Sequence, residues 1–421
     1  MRSTNSSVPG KMASIIIFVV ICATGAWTQT FKVLHNFGPI NNDGFAPDAG
    51  LILDGNGNLY GTTVEGGSEC GDYGCGTVFE LTPNQDGSWS EAVIHSFNGN
   101  DGANPYAPVA FDSRGNLYGT TEHYGTGING TLYELVPGAG GMWSEITRHI
   151  FSGGWDGGGS RLLTNAGVVV NSAGRLFGTT PGGGAYGGGV VYSLAGPSAN
   201  GEIILHAFGH GNDGGMPTGL LTFDASGNIY GTAYIGGSNG AGIVFKLTPN
   251  RLRVGWTETV LYSFTGTPFG GGPDGANPTN GVVFDAAGNL YGTTQYGGNI
   301  SGTVFELSPN PDGSWTESIL HAFDGRTEGG NPQRLSLDNT GNIFSTNVAG
   351  GPYTYGTVFK LAPSSGGQWT ITILHPFTSG LDGGWPWGGV VLDSSGNLYG
   401  TTVLGGTGGH EFGGVAFELT P

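Results

Sequence analysis

The phrase Gly57-Asn-Leu-Tyr-Gly-Thr-Thr63 returns six more times along the chain, with variation. Its Leu/Ile position falls at Leu59, Leu117, Leu176, Ile229, Leu290, Ile343 and Leu398, so the copies stand 53 to 61 residues apart. A period of that size means that each unit is one supersecondary element, too small to bury its own apolar face and obliged to stack on its neighbours. Seven such units fill the chain from residue 27 to its last residue.

Each unit reads as four strands. In the fifth, Gly281-Val-Val-Phe-Asp285 runs through a D-x-x-G-N turn into Asn289-Leu-Tyr-Gly-Thr-Thr294. A glycine-rich loop leads to Gly302-Thr-Val-Phe-Glu-Leu-Ser-Pro309, and a polar turn leads to Trp315-Thr-Glu-Ser-Ile-Leu-His-Ala-Phe323. Alternation, β-branched and aromatic residues, and Gly/Pro/Asn/Asp boundaries favour strands over helices. Glycine is abundant, 86 of 421 residues, yet 37% of the chain is hydrophobic and no G-X-Y period or sustained heptad exists. Disorder, collagen and coiled coil are thereby excluded. Four antiparallel strands per unit of about 50 residues is the blade of a β-propeller.

The ends of the chain specify how the ring shuts. The last unit stops at Val415-Ala-Phe-Glu-Leu-Thr-Pro421, a third strand. Gln29-Thr-Phe-Lys-Val-Leu-His-Asn-Phe37 matches the fourth strands, such as Glu317-Ser-Ile-Leu-His-Ala-Phe323. Pairing the N-terminal strand with the last unit removes the exposed edges of an open array. The expected fold is all-β: one seven-bladed propeller over residues 27–421, closed by its N-terminal strand.

Residues 1–26 read as an export signal. Arg2 and Lys11 precede the apolar run Ala13–Ala23, and small residues follow up to Ala26. Eleven residues fall short of the ~20 needed to span a bilayer. Cys22 would be a lipoprotein acceptor only with a small residue before it, and Ile21 stands there. Cys70 and Cys75, spaced C-x4-C, are the cysteines left after processing, and in an oxidising compartment they are expected to form a disulfide, with zinc as the weaker alternative. Thirteen Lys and Arg against 31 Asp and Glu give a net charge of −18, which repels phosphate backbones and anionic lipid. The mature chain is therefore expected to be a secreted, extracellular or periplasmic monomer with no nucleic-acid partner and no membrane span.

Several chemically tempting residues recur too regularly to mark one site. Histidine closes six fourth strands (His35, His95, His149, His206, His321, His375), with Tyr262 in the remaining one. Such residues lie around a wide ring and point to packing or hydrogen bonding between blades. The D-x-x-G-N aspartates suit turns that bond their own backbone. Asp43, Asp101, Asp156, Asp213, Asp274 and Asp382, with Glu328, precede glycine in the loops joining blades. Calcium is conceivable there, but no D-x-D-x-D-G ladder is present, so no metal site and no cofactor is expected. Trp89, Trp143, Trp256, Trp315 and Trp369 open fourth strands and are expected to cap the packing between sheets.

The succession G-N-L-Y-G-T-T, a glycine-rich loop, G-T-V-F-E-L-T-P and W-x-E-x-x-L-H-x-F resembles the GloVer tandem-repeat family of secreted bacterial proteins, over essentially all of residues 29–421. Two units depart from it, Gly174-Arg-Leu-Phe-Gly-Thr-Thr180 and Gly341-Asn-Ile-Phe-Ser-Thr-Asn347. The resemblance implies a propeller-like fold and an exported location, and it brings no activity or catalytic residues. Family members often carry a C-terminal surface anchor; a chain ending inside a blade strand leads to the expectation of free secretion.

On a repeat scaffold, function is expected in the loops where the repeat breaks. The loops between second and third strands should share a face with those joining blades. Glu65, Glu69, Asp72, Glu122, His123, His410 and Glu411 break the repeat in blades 1, 2 and 7, which ring closure makes neighbours. Of these, Glu65, Glu122, His123, His410 and Glu411 are candidates for acid/base chemistry of the paired-carboxylate kind, against a background of solvated loop charges. The same face is rich in aromatics: Tyr73, Tyr124, Tyr186, Tyr234, Tyr296, Tyr353 and Tyr355, with Tyr106, Trp155, Trp385 and Trp387 between blades. Aromatic faces beside polar groups suit sugar rings or an extended polymer. No Ser-His-Asp arrangement, H-E-x-x-H or phosphate loop is discernible. The first expectation is a non-catalytic binding module for an extracellular polysaccharide or protein. The second is an extracellular carbohydrate-active lyase or hydrolase.

Overall fold

The structure, a computed structural model, describes residues 29–38, 43–71, 73–123, 129–158, 167–194, 201–250, 255–267, 272–298, 300–407 and 413–420. The export segment, Asp72, Tyr124, His410 and Glu411 lie outside these residues.

Seven antiparallel sheets form a closed propeller. In blade 1 the strands are Ile52–Leu53, Leu59–Thr63, Thr77–Pro83 and Trp89–Ser96, paired in that order. Blade 7 is built from Val390–Leu392, Leu398–Thr402, Val415–Thr420 and then Thr30–Asn36. Its register runs Thr30↔Thr420, Phe31↔Leu419, Val33↔Phe417 and Asn36↔Val415, so the N-terminal strand completes the last blade as the repeat arithmetic requires. Among the described residues no helix is long and apolar enough to cross a membrane.

The seams between blades hold the core. At each seam the Phe two residues after the fourth-strand His (or Tyr262) meets an aromatic ring of the next blade's third strand. Phe37 with Phe79, Phe97 with Tyr133 and Phe377 with Phe417 have centroids 4.8, 5.0 and 5.4 Å apart, and the other four seams repeat the contact. The third-strand ring lies over the glycine of G-T-T: a Cβ on Gly292 would stand 2.4 Å from Phe305 Cζ, and one on Gly61 would stand 2.5 Å from Phe79 Cζ. That close approach, rather than turn geometry, is why glycine sits mid-strand. Trp89 and Trp315 also cross their seams, onto Tyr399 and Tyr230.

Every third–fourth strand pair carries a β-bulge just before the histidine position, for example between Val78↔His95 and Phe79↔Val93. The same irregularity recurs in the other six blades. A bulge re-aims the side chain beside it. Here the histidine meets the acid of the following loop: His35 Nε2 lies 3.0 Å from Asp43, His95 3.1 Å from Asp101, and His321 2.9 Å from Glu328. Where Tyr262 replaces histidine, its hydroxyl donates to Asp274 at 2.7 Å. The loop acids that precede glycine are thus partners of the repeated histidines. The D-x-x-G-N aspartates accept from their own turn, as Asp54 does from the Asn56 and Asn58 amides at 2.8 Å.

Candidate functional site

Six of the seven loops joining one blade to the next read D-G-x-x-P, with Glu328 for Asp in the sixth blade, while the loop into blade 3 reads Asp156-Gly-Gly-Gly-Ser160. The residue before proline has φ between +55° and +59° in all six: Ala46, Asn104, Met216, Asn277, Asn331 and Trp385. Non-glycine residues seldom adopt that conformation, and proline pushes its predecessor toward extended backbone. It is held here because each amide N–H donates to a carbonyl of the preceding blade. Met216 N–H reaches Gly188 O at 2.8 Å, Asn277 reaches Ala241 O at 2.7 Å, and Trp385 reaches Tyr355 O at 2.9 Å. The same loops pair with those between second and third strands, as Gly44↔Gly66, Phe45↔Glu65 and Ala103↔His123. Both loop sets therefore share one face.

The residue after the proline varies around the ring: Asp48, Tyr106, Thr218, Thr279, Gln333 and Trp387. Asp48 and Trp387 line a cavity of ≈ 270 Å³ together with Asn280, Arg334, Ser336, Leu220 and Pro108. Six of the seven blades contribute to it, which makes it the axial channel. No ion pair joins Asp48 to Arg334 within 4.0 Å, and Asp48 Oδ1 has no hydrogen-bond partner among the described residues. Enclosure by protein pushes the Asp48 carboxyl up to about 7 and the Arg334 guanidinium down. Both effects have one cause, loss of bulk water around a charge with no partner.

Arg334 stands where the sixth unit breaks its repeat. Ser345 replaces the usual glycine, and its Oγ donates to the Arg334 carbonyl at 2.8 Å. Asn347 replaces threonine, and its Nδ2 donates to Glu328 O at 2.9 Å. In the third unit Arg175 replaces asparagine and donates to Ser193 Oγ through Nε at 3.1 Å. The two irregular units are thus explained locally, one of them beside the channel.

Tyr106 gathers part of the acidic set singled out in the sequence. Burial, followed by the charges of Glu122, Asp48 and Glu65, pushes its phenol up to about 12. His123 Nδ1 lies 3.0 Å from Asn104 Oδ1 and 3.7 Å from Glu122 Oε2. Glu122 is buried and Glu65 half-buried, with burial raising the Glu65 carboxyl. The aromatic candidates divide. Trp155 is 77% exposed, and Tyr73, Tyr186, Tyr353 and Trp385 also stand out from the surface. Tyr186 packs against His210 with centroids 5.1 Å apart. Tyr234 is 5% exposed, and its hydroxyl donates to Gln295 at 2.6 Å, so it belongs to the core. Tyr296 and Tyr355 are half-buried against neighbouring hydrophobics, and Trp387 faces the channel. Cys70 and Cys75 form a disulfide within the Tyr73 loop.

The channel residues Asp48, Arg334 and Asn280 did not stand out in the sequence. A signal was available: aligning the units on D-G-x-x-P places Asp48 one residue after its proline and Asn280 and Arg334 two residues after theirs.

No curated protein matches the chain. A solved protein from Thermus thermophilus, assigned as an oxidoreductase (glucose dehydrogenase), is similar at 15% identity over 75% of this chain and 96% of its own, with a TM-score of 0.41. The extracellular domain of a one-component system from B. thetaiotaomicron is similar at 10% identity and a TM-score of 0.53; the match covers 92% of this chain and 39% of that one. At these identities the likeness concerns the fold alone. The model of the Gloeobacter/Verrucomicrobia repeat matches residues 19–160, 68–298 and 269–421, and with seven blades built on one phrase the chain belongs to that repeat family.

Proposed function

We propose that the chain is an exported, non-catalytic binding propeller that takes an extracellular polysaccharide on the face carrying its D-G-x-x-P loops. The observation that carries this reading is the set of aromatic side chains left in solvent on loops of one face: Tyr73, Trp155, Tyr186, Tyr353 and Trp385. Exposed rings beside amides and carboxylates stack on sugar faces while the polar groups fix orientation. The axial channel suits one sugar unit or a chain end, since its volume lies below the ~300–1,000 Å³ of sites for larger ligands. Asp48, Asn280 and Arg334 supply an acceptor, an amide and a cation there. Export is supported by the basic and apolar N-terminal segment, the disulfide and the absence of a membrane-spanning helix among the described residues.

The test is a glycan array probed with the purified mature chain, with and without calcium. Retention on one class of polysaccharide is expected, and no binding to any of them contradicts the reading. Lyase or hydrolase chemistry by the acids of blades 7, 1 and 2 is the second reading, favoured by Glu122 Oε2 lying 3.7 Å from His123 Nδ1. New reducing ends or unsaturated products released from a bound polysaccharide, and lost in Glu122→Gln, would establish it.

A further inference from the structure

The fourth-strand histidine of one blade and its loop acid face a glutamate near the start of the next blade's fourth strand across four seams, at Glu91, Glu145, Glu202 and Glu258. Tyr262 stands for the histidine opposite Glu317, and Ile371 and Phe31 replace the glutamate in blades 6 and 7. The environment of these trios is not uniform. At the seam between blades 1 and 2, Glu145 accepts from Thr147 at 3.0 Å and His95 bonds Asp101 at 3.1 Å. Between blades 2 and 3, His149 Nε2 lies 3.3 Å from Asp156 Oδ2 and 3.8 Å from Glu202 Oε2, and one ligating atom from each of the three residues lies within 4.8 Å of the others. The Glu202 side chain is 9% exposed, and its Oε1, like those of Glu91, Glu258 and Glu317, has no hydrogen-bond partner among the described residues. The convergence of three ligating atoms is what sets this seam and the one between blades 7 and 1 apart. As an anion, an acid so placed is costly unless it keeps a proton or something of opposite charge completes it.

The geometry points to a divalent transition-metal site at His149, Asp156 and Glu202, spanning the seam between blades 2 and 3. Bonds of ~2.0–2.1 Å in a tetrahedron put neighbouring ligand atoms about 3.3 Å apart. The distances from His149 Nε2 need only a small contraction to meet that. One imidazole with two carboxylates suits zinc or a neighbour in its row; calcium takes oxygen ligands and would leave the imidazole unused. His149 and Asp156 are 21% and 18% exposed, which leaves the site open to an entering ion and to one further ligand. Ser152 fixes Asp156 by donating its amide to Oδ2 at 2.9 Å and its hydroxyl to Oδ1. His35, Asp43 and Glu91, at the seam between blades 7 and 1, repeat the cluster within the same 4.8 Å limit.

The test is zinc binding to the full mature chain after treatment with a chelator, read by isothermal titration calorimetry and by metal content after dialysis, with calcium in parallel. One or two equivalents of zinc are expected, with no comparable calcium binding. Glu202→Gln and His149→Gln should each remove one equivalent, while Glu258→Gln, at the matching place one seam on, should remove none. Circular dichroism and metal-free thermal unfolding identify variants that fold; Glu202→Gln removes an unpartnered acid and is expected to fold at least as stably as the parent without metal. The proposal is overturned if zinc does not bind stoichiometrically, if folded Glu202→Gln and His149→Gln retain every equivalent, or if Glu258→Gln loses as much as they do.

Discussion

The Phe31 ring lies flat on the His375 imidazole, with centroids 3.9 Å apart and planes 10° apart. It joins the first described strand to the fourth strand of blade 6, at the seam where the other blades' glutamate position is filled by an aromatic. The same ring stacks on Phe417 at 5.4 Å, within the strand that Phe31's own strand pairs with.

Closure therefore depends on side-chain packing as well as on the ladder. Phe31→Ala is expected to lower stability by about 2–3 kcal/mol, less than for a fully buried phenylalanine because the ring is half-exposed. Lys32→Ala, on the alternate face, should cost well under about 1 kcal/mol. Urea unfolding followed by tryptophan fluorescence measures both.

The glycine beneath each third-strand ring gives a second test. Gly292→Ala places a methyl 2.4 Å from Phe305 Cζ, and overpacking of this kind costs about 1–3 kcal/mol. Gly55→Ala meets nothing within 4 Å and should stay within about 0.5 kcal/mol of the parent. The two variants are compared by their urea midpoints.

Seam glutamates make stability fall as pH rises. Burial, followed by the charge of Asp213, pushes Glu258 up to about 7; burial, followed by Asp274, does the same to Glu317. The folded chain then keeps protons that the unfolded chain releases near 4.5, so this contribution is present below 4.5 and is lost as pH rises through about 7. His206, whose imidazolium burial disfavours, titrates in the opposite sense. The measurement is accordingly the difference between the parent and the double variant Glu258→Gln/Glu317→Gln. The variant should gain up to about 1 kcal/mol per site at about pH 8 relative to about pH 5, after allowance for solvent screening.

The channel carboxylate behaves the same way. Asp48 sits near 7 against an ordinary 3.8 because enclosure disfavours its charge, so it destabilises the folded chain as pH rises through that range. Asp48→Asn is expected to raise the melting temperature at about pH 8 and leave it unchanged at about pH 3, and differential scanning calorimetry at the two pH values checks it.

The propeller was legible because its determinants are local and repeated sevenfold. The Leu59 phrase set the period, and the match of Gln29–Phe37 to the fourth strands located the closing strand. The shared loop face also followed from the strand order. The functional neighbourhood was less legible because its contacts are made between blades. Sequence suggested that repeated histidines lie too far apart to meet, which holds for one histidine against another. It could not show that a bulge turns His149 toward Asp156 while the next blade brings up Glu202. Nor did it show that residues one to three places after the loop prolines line the axis, where Asp48 and Arg334 are left unpaired. Tyr234 and Trp155 looked alike as loop aromatics, and burial separates them.

The most direct measurement of the binding account is the affinity of the mature chain for the polysaccharide retained on the array, compared between Tyr73→Ala/Trp155→Ala/Tyr186→Ala and Gln85→Ala, which alters an exposed turn at the opposite end of the strands. A loss of at least about tenfold in the triple variant, with Gln85→Ala unchanged, is the predicted result. Undiminished affinity in the folded triple variant, or an equal loss in Gln85→Ala, would contradict the assignment of binding to the D-G-x-x-P loop face.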